Sequence, residues 1–334
     1  MTNRERVHQA IQFRATHIVP HQVEFTVLAR QKFAQFVGDP DFEETIGNHL
    51  AVLSHRRAAK WIEAEPGHLM DEWGVIWNRT IDKDIGVVEN QVLPEASLRE
   101  FAVPNPASPE VIAAYPGFIE RNRDRFRMAG MGMSLFERAW SLRGMDNLLV
   151  DMLQAPRFVH ELLDRILEFN LAQLDLILSR DIDAVHFGDD WGSQGGLIMG
   201  PALWREFIKP RIAQMYAPVR QAGKRVSIHC CGDVKEILPD LVEVGLDLFN
   251  PFQPETMDVF ETKKRYCGQL SFYGGISLQH LLPHGTPDQI RSEVKVLLST
   301  LGEGGGYIAS PSHAVTVDVP CENLVALIEV FQDQ

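Results

Sequence analysis

From about residue 126 to its end, the chain alternates short apolar runs with amphipathic stretches of helical periodicity. The apolar runs predict six strands, at residues 126–133, 184–190, 226–231, 246–250, 270–275 and 306–310. Helices are predicted between and after them, at about 156–179, 201–222, 234–243, 257–266, 287–301 and 321–333. Strands that are apolar on both faces and separated by helices are typical of parallel βα units. The alternation therefore predicts an α/β protein built on a buried parallel sheet.

Two further candidate strands, near residue 20 and at 72–77, bring the predicted number to eight. Eight strands with intervening helices predict a (β/α)8 barrel, the TIM barrel. A doubly wound open sheet is the alternative. We prefer the barrel because no Gly-x-Gly-x-x-Gly follows the first strand, and because polar residues end many strands instead of meeting at one switch point.

The N-terminal third of the chain is less regular than the rest. Residues 2–13 and about 41–63 are predicted to be helical, and a strand or hairpin is predicted from residue 70 to about 90. No internal repeat, low-complexity segment or long linker interrupts the sequence. We therefore expect a single domain, residues 1–334, in which a barrel carries an irregular N-terminal elaboration.

The charge balance limits the class of partner. With 32 basic and 45 acidic residues, the formal charge is -13 at pH 7, which argues against a nucleic-acid or anionic-membrane surface. No apolar signal-peptide stretch follows the charged N-terminus, and no run has the length of a transmembrane helix. The 4 cysteines do not make a disulfide framework in a chain of this length. We expect a cytoplasmic enzyme with a small-molecule substrate.

His229 and Cys231 lie at the end of the predicted strand 226–231. Because side chains alternate between the two faces of a strand, this imidazole and this thiol point the same way, and Cys230 points into the core. An imidazole and a thiolate are ligands that suit zinc. The spacing indicates half of a metal site, and the alternative is a buried His and Cys that satisfy local hydrogen bonds.

Two more candidate ligands, Glu255 and His313, follow later predicted strands. Because a barrel builds its active site from the carboxyl ends of its strands, these side chains could join His229 and Cys231. Together the four would make a four-coordinate zinc site. If one ligand can be displaced, a thiol substrate could bind the metal and be deprotonated there.

Asp189 and Asp190 end another predicted strand as a pair of carboxylates. Either could act as a general acid or base, or orient a metal ligand, with its pKa raised by its neighbour. The alternative of equal weight is that they are aspartates that hold a loop. Trp191 and Gln194 follow directly and are candidate substrate contacts, although Gln194 could also simply complete a turn.

Arg138, Arg143 and His21 are further candidates for substrate binding. Either arginine could bind a carboxylate or phosphate through two hydrogen bonds. The alternative is a structural Arg–Asp pair, which we prefer for Arg143 with Asp146. His21, near the first predicted strand, is expected to line the pocket.

These motifs together resemble the uroporphyrinogen decarboxylase superfamily over almost the whole chain. The resemblance implies a (β/α)8 barrel and one of two chemistries: decarboxylation of porphyrinogens without a cofactor, or zinc-dependent methyl transfer from methylated corrinoid proteins. The residues that carry it are Arg4–Val7, Phe187–Gly192, Ile228–Val234, Asn250–Pro254, Gly274–Ser277, Pro311–His313 and Val319–Asn323.

Two comparisons with the family favour the methyltransferase branch. The decarboxylases carry an arginine-rich N-terminal segment that grips substrate carboxylates, whereas residues 19–25 of this chain contain no arginine. The methyltransferases carry a His-x-Cys pair, which His229 and Cys231 match, and His313 stands where they have a later cysteine. Glu255 could match an acidic ligand of related zinc enzymes. The resemblance thus implies zinc, a corrinoid partner protein, and a thiol or folate-type methyl acceptor.

Two other functions stay open on the sequence. The first is a metal-free decarboxylase of a tetrapyrrole or another carboxylate, in which Asp190 would stabilise the protonated intermediate and Arg138 would hold carboxylates. The second is a non-catalytic barrel that binds a corrinoid or a tetrapyrrole as a carrier or sensor.

Overall fold

A computed structural model describes all residues from 1 to 334. Its centre is a seven-stranded sheet in which every pair of neighbours is parallel and the strands follow one another in chain order. The strands are β1 (Leu50–Ser54), β2 (Phe126–Met131), β3 (Ala184–Gly188), β4 (Arg225–His229), β5 (Leu248–Phe252), β6 (Ser271–Ile276) and β7 (Tyr307–Pro311). The predicted α/β class and the six predicted strands after residue 126 are confirmed.

The extended segment 20–25 contacts both edges of this sheet. The Ala309 amide in β7 donates to the Pro20 carbonyl (2.8 Å), and His49, just before β1, donates to the His21 carbonyl (3.0 Å). Isolated parallel bridges join His21 to Ala309 and Phe25 to Val315. The sheet is therefore curled, with seven regular strands and an eighth segment held by single bridges.

Helices flank the sheet and begin where the sequence supplies capping groups. Thr2 and Thr286 each form a capping box, and Ser108 accepts a hydrogen bond from the Val111 amide. The α-helices are Asn3–Ile11, Val27–Val37, His55–Ala58, Pro109–Arg121, Phe136–Arg143, Met145–Gln154, Pro156–Ile177, Gly200–Leu203, Lys209–Gln221, Leu238–Glu243, Val259–Arg265, Leu281–His284, Pro287–Leu301 and Cys321–Gln332. A π-helical turn covers Trp204–Ile208, and 3-10 turns cover Phe42–Glu44 and Lys235–Ile237. No helix is both long and apolar enough to span a bilayer.

The N-terminal third departs from the sequence prediction in two places. Residues 72–77 do not add a strand to the parallel sheet. Instead, the chain there forms a separate antiparallel sheet of Ile62–Glu65, His68–Met70, Ile76–Asn78 and Val87–Val88. Strand β1 lies inside the predicted helical stretch 41–63. Its regular partner is β2, far along the chain, and such long-range pairing overrides local propensity.

The first helix closes the amino-terminal end of the curled sheet. Val7 and Ile11 on this helix are buried against side chains from six of the seven strands. Those side chains are Leu50, Phe126, Met128, Ala184, Leu248, Tyr273 and Ile308. Because one end is filled by apolar packing, access to the interior is left at the carboxyl ends of the strands.

Asp183, at the start of β3, anchors the first helix. Its side chain is 3% exposed and accepts hydrogen bonds from Arg4 Nε (2.9 Å), His8 Nε2 (2.9 Å) and the Arg127 amide (2.8 Å). Burial alone would raise the pKa of this carboxyl, but the hydrogen bonds from His8, Arg127 and Arg4 outweigh it and hold the pKa below its ordinary value. Folding therefore favours the ionised carboxylate.

We expect Asp183→Asn to lower the free energy of unfolding by about 2–4 kcal/mol at neutral pH, because it removes one partner of a buried ion pair. Since the folded-state pKa is depressed, the carboxylate stabilises the fold above the unfolded-state pKa of about 3.9. That contribution is lost as the pH falls through the folded-state pKa.

Urea unfolding at several pH values measures this effect. The difference between wild type and Asp183→Asn should persist from pH 7 to pH 5 and close at lower pH. Asp288→Asn is the control, because that side chain is 97% exposed in its ion pair with Arg291, and we expect it to cost under about 1 kcal/mol. A difference that did not change with pH would contradict the assignment.

Candidate metal centre and active-site cleft

A cleft of about 770 Å³ opens at the carboxyl ends of the strands. Its walls include Asp190 after β3, His229 at the end of β4 and His313 after β7. The parallel ladder pairs His229 in register with Gly188 of β3 and with Asn250 of β5. Three of the polar residues that the sequence singled out thus gather around one opening: Asp190, His229 and His313.

His229, Cys231 and His313 form a cluster whose ligand atoms all lie within 4.8 Å of one another. Cys231 Sγ is 3.3 Å from His229 Nε2, and the rings of His229 and His313 have centroids 5.5 Å apart. Two imidazoles and a thiolate are a donor set that zinc accepts, and three protein ligands leave a fourth position for water or substrate. The residues present therefore fit a catalytic type of zinc site.

Asn250 fixes the orientation of the His229 ring. Its side-chain nitrogen donates to the Tyr273 carbonyl (3.0 Å), so its oxygen faces His229 Nδ1 at 2.7 Å. Nδ1 must then carry a proton, and Nε2 is the ring nitrogen that points at the cluster and is available to a metal ion. An outer hydrogen bond of this kind is what holds metal-binding histidines in proteins.

Asp190 holds the turn that carries Cys231. Its Oδ1 accepts the Cys231 amide proton at 2.7 Å, and the next amide, of Gly232, donates to Gln253 Oε1 at 2.7 Å. Gly232 has φ +88°, and a Cβ there would lie 2.4 Å from the Gly192 carbonyl carbon. Only glycine fits this position, so the thiol is presented by a tightly constrained turn.

The cluster is electrostatically suited to a cation. Burial lowers the pKa of His229, but the negative charges of Cys231 and Asp190 outweigh it and raise that pKa to about 10. The surroundings of the imidazole are therefore strongly negative, and a bound metal ion would compensate that charge.

Asp189 turns away from the cleft and has a structural position. It is fully buried and accepts hydrogen bonds from four N–H groups: the amides of Leu135, Phe136 and Glu137 and the indole of Trp191. Burial raises its pKa, to about 6, against the opposing effect of these donors. Asp189 thus begins the helix Phe136–Arg143, while Asp190 is the member of the pair that lines the cleft.

Glu255 does not join the metal cluster, and its assignment as a ligand is corrected. It lies in the loop after β5, where its Oε1 accepts hydrogen bonds from Ser277 Oγ (2.5 Å) and from the Gln279 amide (3.4 Å). The carboxylate therefore holds the loop that follows β6. The residue of β5 that contacts the His229–Cys231–His313 cluster is Asn250, which precedes Glu255 by five residues.

The two arginines lie in buried ion pairs and do not line the cleft, although Arg138 lines a smaller cavity beside it. Arg138 is buried in an ion pair with Asp71 at 2.7 Å and lies over the Trp73 ring at 5.2 Å. Arg143 forms the expected Arg–Asp pair, but with Asp151 at 2.7 Å rather than with Asp146.

The remaining candidates for substrate binding also lie outside the cleft. His21 is 3% exposed and stacks on Phe331 with ring centroids 4.5 Å apart, so its segment reaches the cleft through Gln22 and Glu24 instead. Trp191 is fully buried against Trp204. Gln194 is exposed at the turn of the small hairpin Gly192–Leu197.

Sequence reasoning missed several titratable residues of the cleft, among them Glu137 and His186. Glu137 lies in the first turn of its helix, and burial together with Asp190 and Asp189 raises its pKa to about 8. His186 Nδ1 contacts Ser227 Oγ at 2.8 Å, and burial lowers its pKa to about 3. Side chains alternate between the two faces of β3, so His186 lies on the same face as Gly188. This alternation could have identified His186 as a cleft residue.

The parallel sheet and the polar residues that line the cleft define an α/β protein. Its candidate site lies at the carboxyl ends of the strands. The family model described as "Uroporphyrinogen decarboxylase (URO-D)" matches residues 79–334. The chain therefore belongs to the uroporphyrinogen decarboxylase family, which confirms the resemblance seen in the sequence.

Curated relatives include both chemistries of the family. A uroporphyrinogen decarboxylase of Coxiella burnetii is 24% identical over 183 residues, covering 54% of this chain and 48% of the relative. The methylcobamide:CoM methyltransferase MtaA of Methanosarcina barkeri is 28% identical over 166 residues, covering 50% and 46%. The chain thus matches about half the length of these relatives.

Among solved structures, a methyltransferase from Methanosarcina mazei superposes with a TM-score of 0.76 at 18% identity. The superposition covers 100% of this chain and 99% of the other. At this identity it establishes that the two proteins share a fold.

Metal content separates the ligand set of the structure from that of the sequence. We expect zinc to bind near-stoichiometrically to wild type and to Glu255→Gln, and to be lost in His229→Ala, Cys231→Ala and His313→Ala. Cys230→Ala is the matched control, because Cys230 is the adjacent thiol, fully buried and outside the cluster. Elemental analysis of the purified variants measures this. Loss of zinc in Glu255→Gln with retention in His313→Ala would refute the three-residue centre.

Proposed function

We propose that this protein is a zinc-dependent methyltransferase that moves a methyl group between a corrinoid protein and a thiol or folate-type acceptor. Its scaffold is a (β/α)8 barrel in which segment 20–25 takes the eighth strand position. The observation that carries the proposal is the convergence of His229, Cys231 and His313 within 4.8 Å at the cleft. The MtaA relative supports it, because its name specifies methyl transfer from a methylcobamide.

The proposed division of labour follows from the contacts of the cleft. His229, Cys231 and His313 would hold the zinc, which when bound supplies a Lewis acid that lowers the pKa of a thiol. Asn250 keeps His229 Nε2 directed at the centre, and Asp190 fixes the Cys231 turn. A methyl acceptor of the thiol class must also release its proton.

Glu137 is the group placed to take up that proton. It lines the same cleft as His229, and its carboxylate has no hydrogen-bond partner of its own, unlike those of Asp189 and Asp190. A base acts best when its pKa lies near the working pH, and the pKa of Glu137 is raised to about 8.

Methyl transfer from methylcobalamin to simple thiols tests the proposed reaction. With zinc-loaded protein, loss of the methylcobalamin absorbance should track formation of the thioether. We expect Cys231→Ala to abolish the reaction and Cys230→Ala to retain it. If the protein binds a corrinoid but transfers no methyl group, the result would instead favour a non-catalytic carrier protein.

Decarboxylation is the second candidate, because curated relatives of this chain are named uroporphyrinogen decarboxylase. It is disfavoured by the metal-type cluster and by the absence of arginine in segment 19–25. Metal-free protein that decarboxylates a porphyrinogen, with Cys231→Ala equally active, would establish this function in place of methyl transfer.

A pH profile tests the role of Glu137. Since a general base must be ionised, the methyl-transfer rate of wild type should rise with pH through the raised pKa of Glu137. Glu137→Gln should lower the rate by about 10²–10⁴-fold and remove this titration, with zinc content unchanged. An unaltered profile in Glu137→Gln would show that another group accepts the proton.

A further inference from the structure

A hairpin of the small antiparallel sheet reaches the mouth of the cleft. Its tip, residues 79–86, joins the strands Ile76–Asn78 and Val87–Val88. Three residues of this tip line the cleft that also contains His229 and His313: Asp84, Ile85 and Gly86. The tip is therefore part of the cleft wall, although it belongs to a different sheet from the strands that carry the site.

The tip is ordered by contacts within itself. The Asp82 carboxylate accepts hydrogen bonds from three amides of the tip: those of Asp84 (2.9 Å), Ile85 (3.3 Å) and Gly86 (3.1 Å). Gly86 has φ +84°, and a Cβ there would lie 2.8 Å from the Asn78 carbonyl oxygen, so the base of the tip is tightly closed. Because these contacts lie within the hairpin, the tip keeps its shape without support from the rest of the cleft wall.

Two hydrogen-bonded contacts attach the tip to elements outside its own sheet. Both carboxylate oxygens of Asp84 accept the Val27 amide proton, at 3.1 and 3.2 Å. Arg56, which follows β1, donates from Nη2 to the Ile85 carbonyl at 3.2 Å. Val27 is the first residue of its helix, so its amide has no partner within that helix. The tip thus spans from the helix after β1 to the helix after segment 20–25.

Apolar packing does not hold the tip in place. Ile81, Ile85 and Val87 of the hairpin are 88%, 47% and 66% exposed, and none of them belongs to the hydrophobic core. A single carboxylate at a helix N-terminus near the surface contributes little stability. The tip is therefore attached by contacts that are weak enough to break and re-form.

The tip also lies close to the metal-binding cluster. Burial lowers the pKa of His313, and the charge of Asp84 is among the influences that oppose this shift. Asp84 is therefore within electrostatic range of the cluster. A displacement of the tip would open the cleft beside the cluster rather than at a distant edge.

We propose that the hairpin tip 79–86 is a movable gate of the cleft, latched by Asp84 on the amide of Val27 and opened when the tip moves away from that helix. In the latched position it restricts the cleft to small molecules, and in the released position it admits larger ones. The gate controls access alone, so it goes beyond the proposed function and does not depend on which reaction the site carries out.

Thiol labelling of Cys231 measures the opening of the gate. Cys231 Sγ lies 3.3 Å from Nε2 of His229, whose side chain lines the cleft. Cys267→Ser removes the exposed thiol, and the other two, Cys230 and Cys321, are buried. N-Ethylmaleimide and N-(1-pyrenyl)maleimide react through the same group and differ in size. Their rates on the full-length Cys267→Ser protein, treated with a chelator, give a ratio of large-reagent to small-reagent labelling.

Val27→Pro breaks the latch without shortening the tip. Proline removes the amide proton that Asp84 accepts, and it is well tolerated at the first position of a helix after an extended residue such as Thr26. We expect it to raise the ratio of the pyrenyl to the ethyl rate by about two- to fivefold, the factor that one contact at a helix N-terminus is worth. Val27→Ala is the matched control, because it keeps the amide and removes side-chain volume. It should leave the ratio unchanged.

Asp84→Ala and Asp84→Asn give an independent measure, which decides the matter if Val27→Pro does not fold. The asparagine side-chain oxygen can still accept the Val27 amide proton, so we expect a higher ratio in Asp84→Ala than in Asp84→Asn. A charge effect on the Cys231 thiolate would change both rates and leave their ratio unaltered. Equal ratios in Val27→Pro and Val27→Ala, or in the two Asp84 variants, would overturn the gate. Because the labelling needs neither metal nor methyl donor, this outcome is independent of whether methyl transfer occurs.

Discussion

The in-register pairing of β3, β4 and β5 is the constraint on which the site depends. It places Gly188, His229 and Asn250 side by side at one rim of the sheet. Asn250 can then orient the His229 ring, and Gly188, without a side chain, leaves room beside it. Because side-chain direction alternates along a strand, a slip of one residue would turn His229 into the core and lose the centre. The sheet ladder therefore sets the position of His229, whereas a constrained turn after β4 presents Cys231.

The two ends of the curled sheet serve opposite purposes. At the amino-terminal end the first helix fills the interior with Val7 and Ile11 and is held by the buried carboxylate of Asp183. At the carboxyl end the interior is lined by polar groups such as His186 and Asp190 around a cleft of about 770 Å³. The closed end is stabilised by apolar packing and a buried ion pair, whereas the open end holds charged groups whose burial is unfavourable for folding.

The sequence was most informative where function depends on local geometry. The His229–Cys231 spacing predicts a shared face because it rests on the period-two repeat of a strand. Strand β1 was missed because its pairing with β2 is decided by residues far away in the chain. Glu255 was misplaced since the direction of a loop after a strand, here held by Ser277, does not follow from its position in the sequence.

The cleft divides its chemistry between two walls. Soft and borderline donors come from the β4 and β7 side, where Asp190 and Cys231 make the surroundings negative. The wall after β1 carries the unpaired cation of Arg56, and Glu137, opened toward the same space, is kept largely protonated by burial and by its acidic neighbours. The two sides of the cleft therefore present opposite electrostatic surroundings to a ligand that binds between them.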